Sequence, residues 1–279
     1  MNVGVGDGAD PLGALVWLPD VFEAVEAARG AVDALLREPR LRRRHDPQVS
    51  AAALRRGAWA SAALDGWPGP FESFAPPFPD DDFGRLAAGS LRTSSEVADV
   101  AAVWRRSPLQ ALARLHLLAA SGRVPDDALG RPRDAAAAAR LDALAATLAA
   151  GTEAPAIIVA AVVHGEVLGL DAFGVGSGLV ARAAARAVLI DRALDPRAVT
   201  APEAGHLELG ALDYAAALEG YRSGAADGVA RWLVHCAQAL AIGARLGRET
   251  CAALDSADSA DDSANSADSA DSVDATDAS

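Results

Sequence analysis

Apolar residues recur every three or four positions over most of the chain, which is the spacing of amphipathic helices. In residues 18–36, for example, Val21, Val25 and Val32 fall on one side of a helix. No stretch alternates apolar and polar residues as a half-buried strand does. The sequence therefore predicts an all-α protein, with further helices over residues 86–104, 108–121, 135–150, 155–170, 179–192, 209–222 and 228–246.

One further N-terminal helix has sequence signals at both of its ends. Asp46 is typical of an N-cap, and Pro47 suits the first helical position, where a missing N–H costs nothing. Gly66, with Pro68 just beyond it, predicts the end of this helix. Residues 67–83 are then rich in proline and aromatic residues, and we expect these rings to pack on the helical body.

Composition agrees with a helical protein that has a sizeable core. Hydrophobic residues make up 51% of the 279 residues and aromatic residues only 5%, and alanine and leucine, which dominate, are the best helix formers. The net charge is −13, but eight aspartates lie in residues 255–279, so the remainder is only slightly acidic. It lacks the basic face that a nucleic-acid-binding protein needs.

Neither the cysteines nor the first residues indicate an oxidising or membrane environment. Cys236 and Cys251 have no spacing that predicts a disulfide framework or a metal site. The start MNVGVGDGAD lacks the basic and apolar regions of a signal peptide. The longest apolar run, APAIIVAAVV, is far shorter than the ~20 residues of a membrane-spanning helix. We expect a cytoplasmic protein without nucleic-acid or membrane partners.

Three parts are expected along the chain. Residues 1–84 contain the N-terminal helices and the proline-rich connector, and residues 85–250 form the helical core. Residues 251–279 approach a repeat of serine, alanine and aspartate. Such a segment has little to bury and repels itself, which predicts a disordered acidic tail.

A glycine-rich loop precedes the helix predicted over 179–192. Gly174, Gly176 and Gly178 permit backbone conformations in which several N–H groups converge at the start of a helix, which favours a phosphate ligand. Arg182 and Arg186 lie four residues apart and share one helix face. Two alternatives are a turn whose arginines face solvent, and the dinucleotide loop of a nicotinamide-dependent oxidoreductase, which would require a parallel sheet.

The run DAFGVGSGLVAR resembles the signature motif of the Fic/Doc (Fido) family, H-P-F-x-(D/E)-G-N-G-x-x-x-R. Phe173, Gly176, Gly178 and Arg182 match that motif. His164 matches a histidine that often precedes the motif in the family. The order and spacing of these residues make the resemblance fairly specific.

The resemblance extends over residues 86–246 and implies a Fic-type helical core. Members of the family mostly transfer AMP from ATP to a protein hydroxyl, so the resemblance implies ATP as ligand and a protein as target. The nucleotide-binding residues that it implies are Phe173, Gly174, Gly176, Ser177, Gly178 and Arg182.

The segment SAALDG resembles the inhibitory helix of some Fic proteins, whose pattern is (S/T)-x-x-x-E-(G/N). Ser61, Asp65 and Gly66 match it, with aspartate in place of glutamate. A carboxylate at the C-terminus of a helix is electrostatically misplaced and needs solvent or a cation. The sequence thus predicts an ion pair between Asp65 and Arg182, the alternative being that Asp-Gly merely ends a helix.

Several positions depart from the family motif. Asp171 stands in place of the catalytic histidine, and an aspartate is a far weaker base at neutral pH. Val175 replaces the acidic metal ligand, which argues against magnesium. Ser177 replaces an asparagine that has a longer reach, and Leu179 replaces an arginine often found after the glycines.

Two functional hypotheses follow from this combination. The first is a degenerate Fic-like protein that binds a nucleotide, a phosphate or a protein partner and is impaired in AMP transfer. The second is an active nucleotidyltransferase in which Asp171 serves as the base, or as a metal ligand in place of Val175. His116 and His164 lie in apolar surroundings and are expected to be buried structural residues.

Overall fold

The computed structural model describes residues 10–43 and 47–274, with the backbone alone for residues 43 and 261–274. Within these ranges the chain forms twelve α-helices, three short 3-10 helices and no strand. The prediction of an all-α fold is confirmed. The alternative of a nicotinamide-dependent oxidoreductase required a parallel sheet around the glycine-rich loop. The described residues contain no strand, so this alternative is wrong.

The helices follow one another with short connections. In chain order they are α1 (Val21–Leu36), α2 (Pro39–Arg43), α3 (Pro47–Leu64), α4 (Asp82–Ser95), α5 (Val97–Trp104), α6 (Pro108–Ala120), α7 (Ala135–Ala149), α8 (Ala156–Gly169), α9 (Ser177–Asp191), α10 (Pro202–Leu209), α11 (Ala211–Arg222) and α12 (Ala226–Asp274). Several elements differ from the prediction, among them the short helix α2, which was not predicted. The stretch 86–104 divides into α4 and α5, and the short helix α10 was not predicted.

Helix α3 ends as its sequence predicts. Gly66 has a φ of +104°, a left-handed conformation that glycine adopts without steric cost. The N–H of Trp67 then donates to the carbonyl oxygen of Ala62 at 2.9 Å, which closes the last turn. The helix begins at Pro47, as expected, while the predicted N-cap Asp46 lies outside the described residues.

The hairpin of α8 and α9 is the centre of the bundle. Every residue of 157–167 in α8 is buried, so this helix has neighbours on all sides. Trp232 of α12 is fully buried, and its indole N–H donates to the carbonyl oxygen of Ala161 at 2.8 Å. Although α8 is buried on all sides, no helix in the described part of the chain has both the length and the hydropathy needed to cross a bilayer.

The proline-rich connector packs on the helices, as its rings predict. Phe74 is buried, and the Trp67 ring lies edge-on to Phe74 and to Phe78, with centroid separations of 6.0 and 5.9 Å. Edge-to-face contacts at such distances are favourable for aromatic rings. The connector thereby fixes α3 against the start of α4.

The acidic C-terminal segment differs from the predicted disorder. Helix α12 continues to Asp274, and residues 275–279 lie outside the described part of the chain. Two features account for the first turns beyond residue 251: alanine favours the helix, and Arg40 pairs with Asp255 at 2.9 Å and with Asp258 at 2.8 Å. Cys251 is buried, so the helix still packs on the bundle where the acidic segment starts.

Gly205 and Gly30, which both lie within helices, offer a matched test of the packing. A Cβ on Gly205 would overlap the Ala239 carbonyl oxygen, whereas a Cβ on Gly30 would have no atom within 4 Å. We expect Gly205→Ala to lower the free energy of unfolding by about 1–3 kcal/mol. Gly30→Ala should raise it by about 0.5–1 kcal/mol, because glycine is the poorer helix former. Urea unfolding followed by circular dichroism measures both values, and equal effects would contradict the packing of α10 on α12.

Candidate anion site at the start of α9

The loop between α8 and α9 turns the chain through left-handed conformations. Gly174 and Gly176 have φ values of +67° and +91°, which disfavour residues with a Cβ. Helix α9 starts directly after them at Ser177. The first N–H groups of a helix have no partner within it and carry a partial positive charge. The loop thus forms the kind of helix start at which anions bind.

A carboxylate of the protein lies at this helix start. A Cβ on Gly178, in the first turn of α9, would lie 2.6 Å from Oδ2 of Asp65 and closer still to Oδ1. Residue 178 must therefore be glycine for the Asp65 side chain to occupy this place. The charge of Asp65 is unfavourable at the C-terminal end of α3 but favourable at the N-terminus of α9.

The guanidinium of Arg182 holds this carboxylate. Its Nη2 lies 2.6 Å from Oδ1 of Asp65, which confirms the predicted ion pair. The same nitrogen donates to the Ser61 carbonyl oxygen at 2.9 Å, and Nε donates to the Ser61 hydroxyl at 2.7 Å. Nη1 donates to the Tyr214 hydroxyl at 3.2 Å. The side chain of Arg182 is only 2% exposed, so it lies fully within the bundle.

These contacts decide which groups are charged. Burial by itself lowers the pKa of Arg182, but the negative charge of Asp65 and the Tyr214 oxygen outweigh it and keep the pKa above its ordinary value. Burial raises the pKa of Tyr214, so the phenol is protonated at neutral pH. The site therefore contains one permanent cation, one carboxylate and one neutral hydroxyl.

Asp171, at the position of the family's catalytic histidine, lies in a different ion pair. Its Oδ2 accepts from Nη1 of Arg133 at 2.8 Å, and its side chain is 46% exposed. The backbone of Asp171 has a φ of +49°, which is uncommon for a residue other than glycine. The structure gives it no contact with Asp65 or Arg182.

The other residues of the motif support the loop from within. Phe173 is buried, and its ring stacks on His116 with a centroid separation of 4.7 Å. The Ser177 hydroxyl accepts from the N–H of Phe173 at 3.0 Å. Val175 is 44% exposed at the loop surface and has no oxygen in its side chain. Position 175 thus lacks the carboxylate that would anchor magnesium, and the carboxylate of Asp171 in the same loop is paired with Arg133.

The ring of His116 in α6 connects the loop at Gly130 to the glycine-rich loop before α9 by hydrogen bonds. Its Nδ1 accepts from the N–H of Gly130 at 3.0 Å, and its Nε2 is 3.1 Å from the carbonyl oxygen of Val175, to which it donates in the neutral ring. The prediction that His116 is buried is confirmed, at 1% exposure. Its role in shaping the glycine loop was missed, because residue 116 lies far from the loop in sequence.

Arg186 and His164 are two further buried polar residues near Arg182. Arg186 is buried and pairs with Glu203 at 3.2 Å, so the alternative in which the α9 arginines face solvent is wrong. His164 is buried as predicted, but its partner is the Tyr214 hydroxyl at 2.7 Å. Tyr214 therefore contacts both His164 and Arg182, and this role was not predicted.

Comparisons with known proteins identify the fold. No family model and no curated protein matches the sequence. Among solved structures, a Fic family protein from Desulfovibrio desulfuricans G20 matches with a TM-score of 0.65 and 18% identity, over 83% of this chain and 75% of that one. The chain therefore has an all-α fold of the Fic type, and the agreement is one of fold.

The buried, neutral ring of His116 should make the free energy of unfolding depend on pH. Burial lowers the pKa of His116, opposed by its hydrogen bond to Val175, so below pH ~6.5 the unfolded chain binds a proton that the folded protein does not. The free energy of unfolding should therefore decrease as the pH is lowered below ~6.5. This residue contributes up to about 1.4 kcal/mol per pH unit to that decrease. Urea unfolding at several pH values between neutrality and mild acid measures the slope.

The His116→Asn variant is the control for that slope. Its side chain retains an acceptor for Gly130 and has no group that titrates in this range. We expect its slope to be shallower than that of the unsubstituted protein. An unchanged slope would show that His116 is protonated equally in both states.

Proposed function

We propose that this protein is a Fic-like module that binds a phosphate or nucleotide at the start of α9 and is impaired in AMP transfer. The observation that supports this most directly is the position of Asp65. An anion of the chain itself lies where the first turn of α9 and the Arg182 guanidinium converge. Groups that stabilise a carboxylate there are suited to a phosphate oxygen as well.

The site is closed in this arrangement. Two negative groups cannot share one guanidinium and one helix start without strong repulsion. A phosphate must therefore displace Asp65, either by rotation of its side chain or by movement of the end of α3. We infer that the Ser61 to Gly66 segment is regulatory, as the family resemblance implies, and that affinity for ligand is low while Asp65 remains in place.

The transfer chemistry is the part we infer to be impaired. Asp171 is held by Arg133, and Val175 supplies no ligand to a metal ion. General bases typically contribute about 10²–10⁴ in rate. Metal neutralisation of the phosphates is a further large contribution to phosphoryl chemistry. ATP is the nucleotide that the family resemblance implies, and a protein is the partner that it implies.

Removing the Asp65 charge should open the site. We expect Asp65→Asn, which keeps the shape of the side chain, to raise the affinity for ATP or ADP about tenfold or more, equivalent to ~1.4 kcal/mol. The reason is that Arg182 then lacks its competing anion. Isothermal titration calorimetry with ATP, ADP and pyrophosphate measures this affinity, and pyrophosphate shows whether the phosphates alone are recognised.

The Arg182→Met variant is the matched control for this titration. It fills a similar volume without the charge and should abolish binding in both backgrounds. Circular dichroism and thermal melting verify that each variant is folded. Failure of Asp65→Asn to bind any of the three ligands would remove the phosphate-binding proposal and leave a role in protein interaction.

Transfer is tested separately from binding. We expect no label on any protein when the chain, with or without Asp65→Asn, is incubated with α-labelled ATP, magnesium or manganese, and a cell lysate. The physical reason is the missing base and metal anchor. Labelling that disappears in the Asp171→Asn variant would instead support the active nucleotidyltransferase in which Asp171 is the base.

A further inference from the structure

A small cavity of about 30 Å³ lies beside Arg182, between four helices of the bundle. Side chains of α8, α9, α10 and α12 enclose it, and they include His164, His206 and Cys236. About 10–15 Å³ is enough for one water-sized particle. The cavity can therefore hold a single ion without any movement of the helices.

Three potential metal ligands converge at this cavity from three different helices. One ring nitrogen from each of His164 and His206 and the sulfur of Cys236 all lie within 4.8 Å of one another. Bonds of about 2.0–2.3 Å from a metal to nitrogen and sulfur bring such ligand atoms roughly 3.3–3.8 Å apart. Small rotations of the side chains would bring the ligand atoms from within 4.8 Å of one another to the separation that a bound metal requires.

The hydrogen bonding of these side chains is incomplete in a way that a metal would correct. His206 is 96% buried, at 4% exposure, and within the described part of the chain its Nδ1 has no hydrogen-bond partner. Leaving a buried polar atom unpaired costs about 1–3 kcal/mol. His164, by contrast, is oriented by a hydrogen bond of 2.7 Å between its Nε2 and the Tyr214 hydroxyl. A hydrogen bond from the ring nitrogen that does not bind the metal commonly positions a metal-bound histidine.

We propose that His164, His206 and Cys236 form a buried site for a soft transition-metal ion, with monovalent copper preferred over divalent zinc. Thiolate and imidazole ligands suit both ions. The charged residues at the cavity are already balanced, Arg182 by Asp65 and Glu203 by Arg186. A thiolate with monovalent copper adds no net charge, whereas a thiolate with zinc leaves an uncompensated positive charge beside Arg182.

The binding step involves one proton and no change of oxidation state. Burial raises the pKa of the Cys236 thiol and lowers the pKa of both histidines, so the metal-free site holds a neutral thiol and two neutral rings. On binding, a sulfur–metal bond forms, and the thiol proton leaves to solvent. The two rings coordinate through unprotonated nitrogens, as metal binding requires.

The experiment is an anaerobic competition for Cu(I) between the 279-residue protein and the chromogenic chelator bicinchoninate, with a parallel Zn(II) titration. We expect the protein to remove one equivalent of Cu(I) from the chelator and to bind Zn(II) more weakly. Cys236→Ala and His206→Ala should each weaken Cu(I) binding more than tenfold, because loss of only a hydrogen-bond partner of a ligand already costs about 10–100-fold.

Cys251→Ala is the matched control, since Cys251 is the other buried cysteine and lies outside the cavity. It should bind Cu(I) like the unsubstituted protein, while circular dichroism verifies the fold of all variants. The proposal is overturned if the unsubstituted protein takes no Cu(I) from the chelator, or if Cys251→Ala loses binding as fully as Cys236→Ala. Tighter binding of Zn(II) than of Cu(I) would overturn the preference for copper.

Discussion

The site depends on a buried cation that cannot lose its charge. Arg182 is protonated at any relevant pH, so the bundle can enclose it only by providing an anion and several acceptors. Asp65 supplies the anion, and Ser61 and Tyr214 supply the acceptors. These partners come from α3 and α11, which means that one guanidinium joins the N-terminal helices to the core.

The same requirement explains why the site looks suited to a ligand and yet is closed. Any ligand able to replace Asp65 must bring its own negative charge to Arg182, which restricts the candidates to anions such as phosphates. The loop that presents the helix start is held separately, by His116 and Phe173. Loss of Asp65 would therefore change the charge in the site without removing the support of the glycine turn.

The sequence predicts the parts of this structure that rest on local signals or on a motif. Helix α3 ends at a left-handed glycine, and the Asp65–Arg182 pair follows from a misplaced carboxylate together with the family resemblance. Helix α10 was missed because it is short and buries a charged residue, Glu203, which interrupts the apolar period. The cluster of His164, His206 and Cys236 was also missed, since three separate helices bring it together and no spacing along the chain records it.

The Tyr214 hydroxyl links the candidate anion site to the cavity, because it contacts both Arg182 and His164. Tyr214 accepts a hydrogen bond from Arg182, and it either donates to or accepts from His164, according to which ring nitrogen of His164 carries the proton. A metal on His164 would fix that choice and so alter the acceptor available to Arg182. A coupling free energy between two sites is reciprocal. If a metal in the cavity changed the affinity of Arg182 for an anion by some factor, that anion would change the affinity of the cavity for the metal by the same factor.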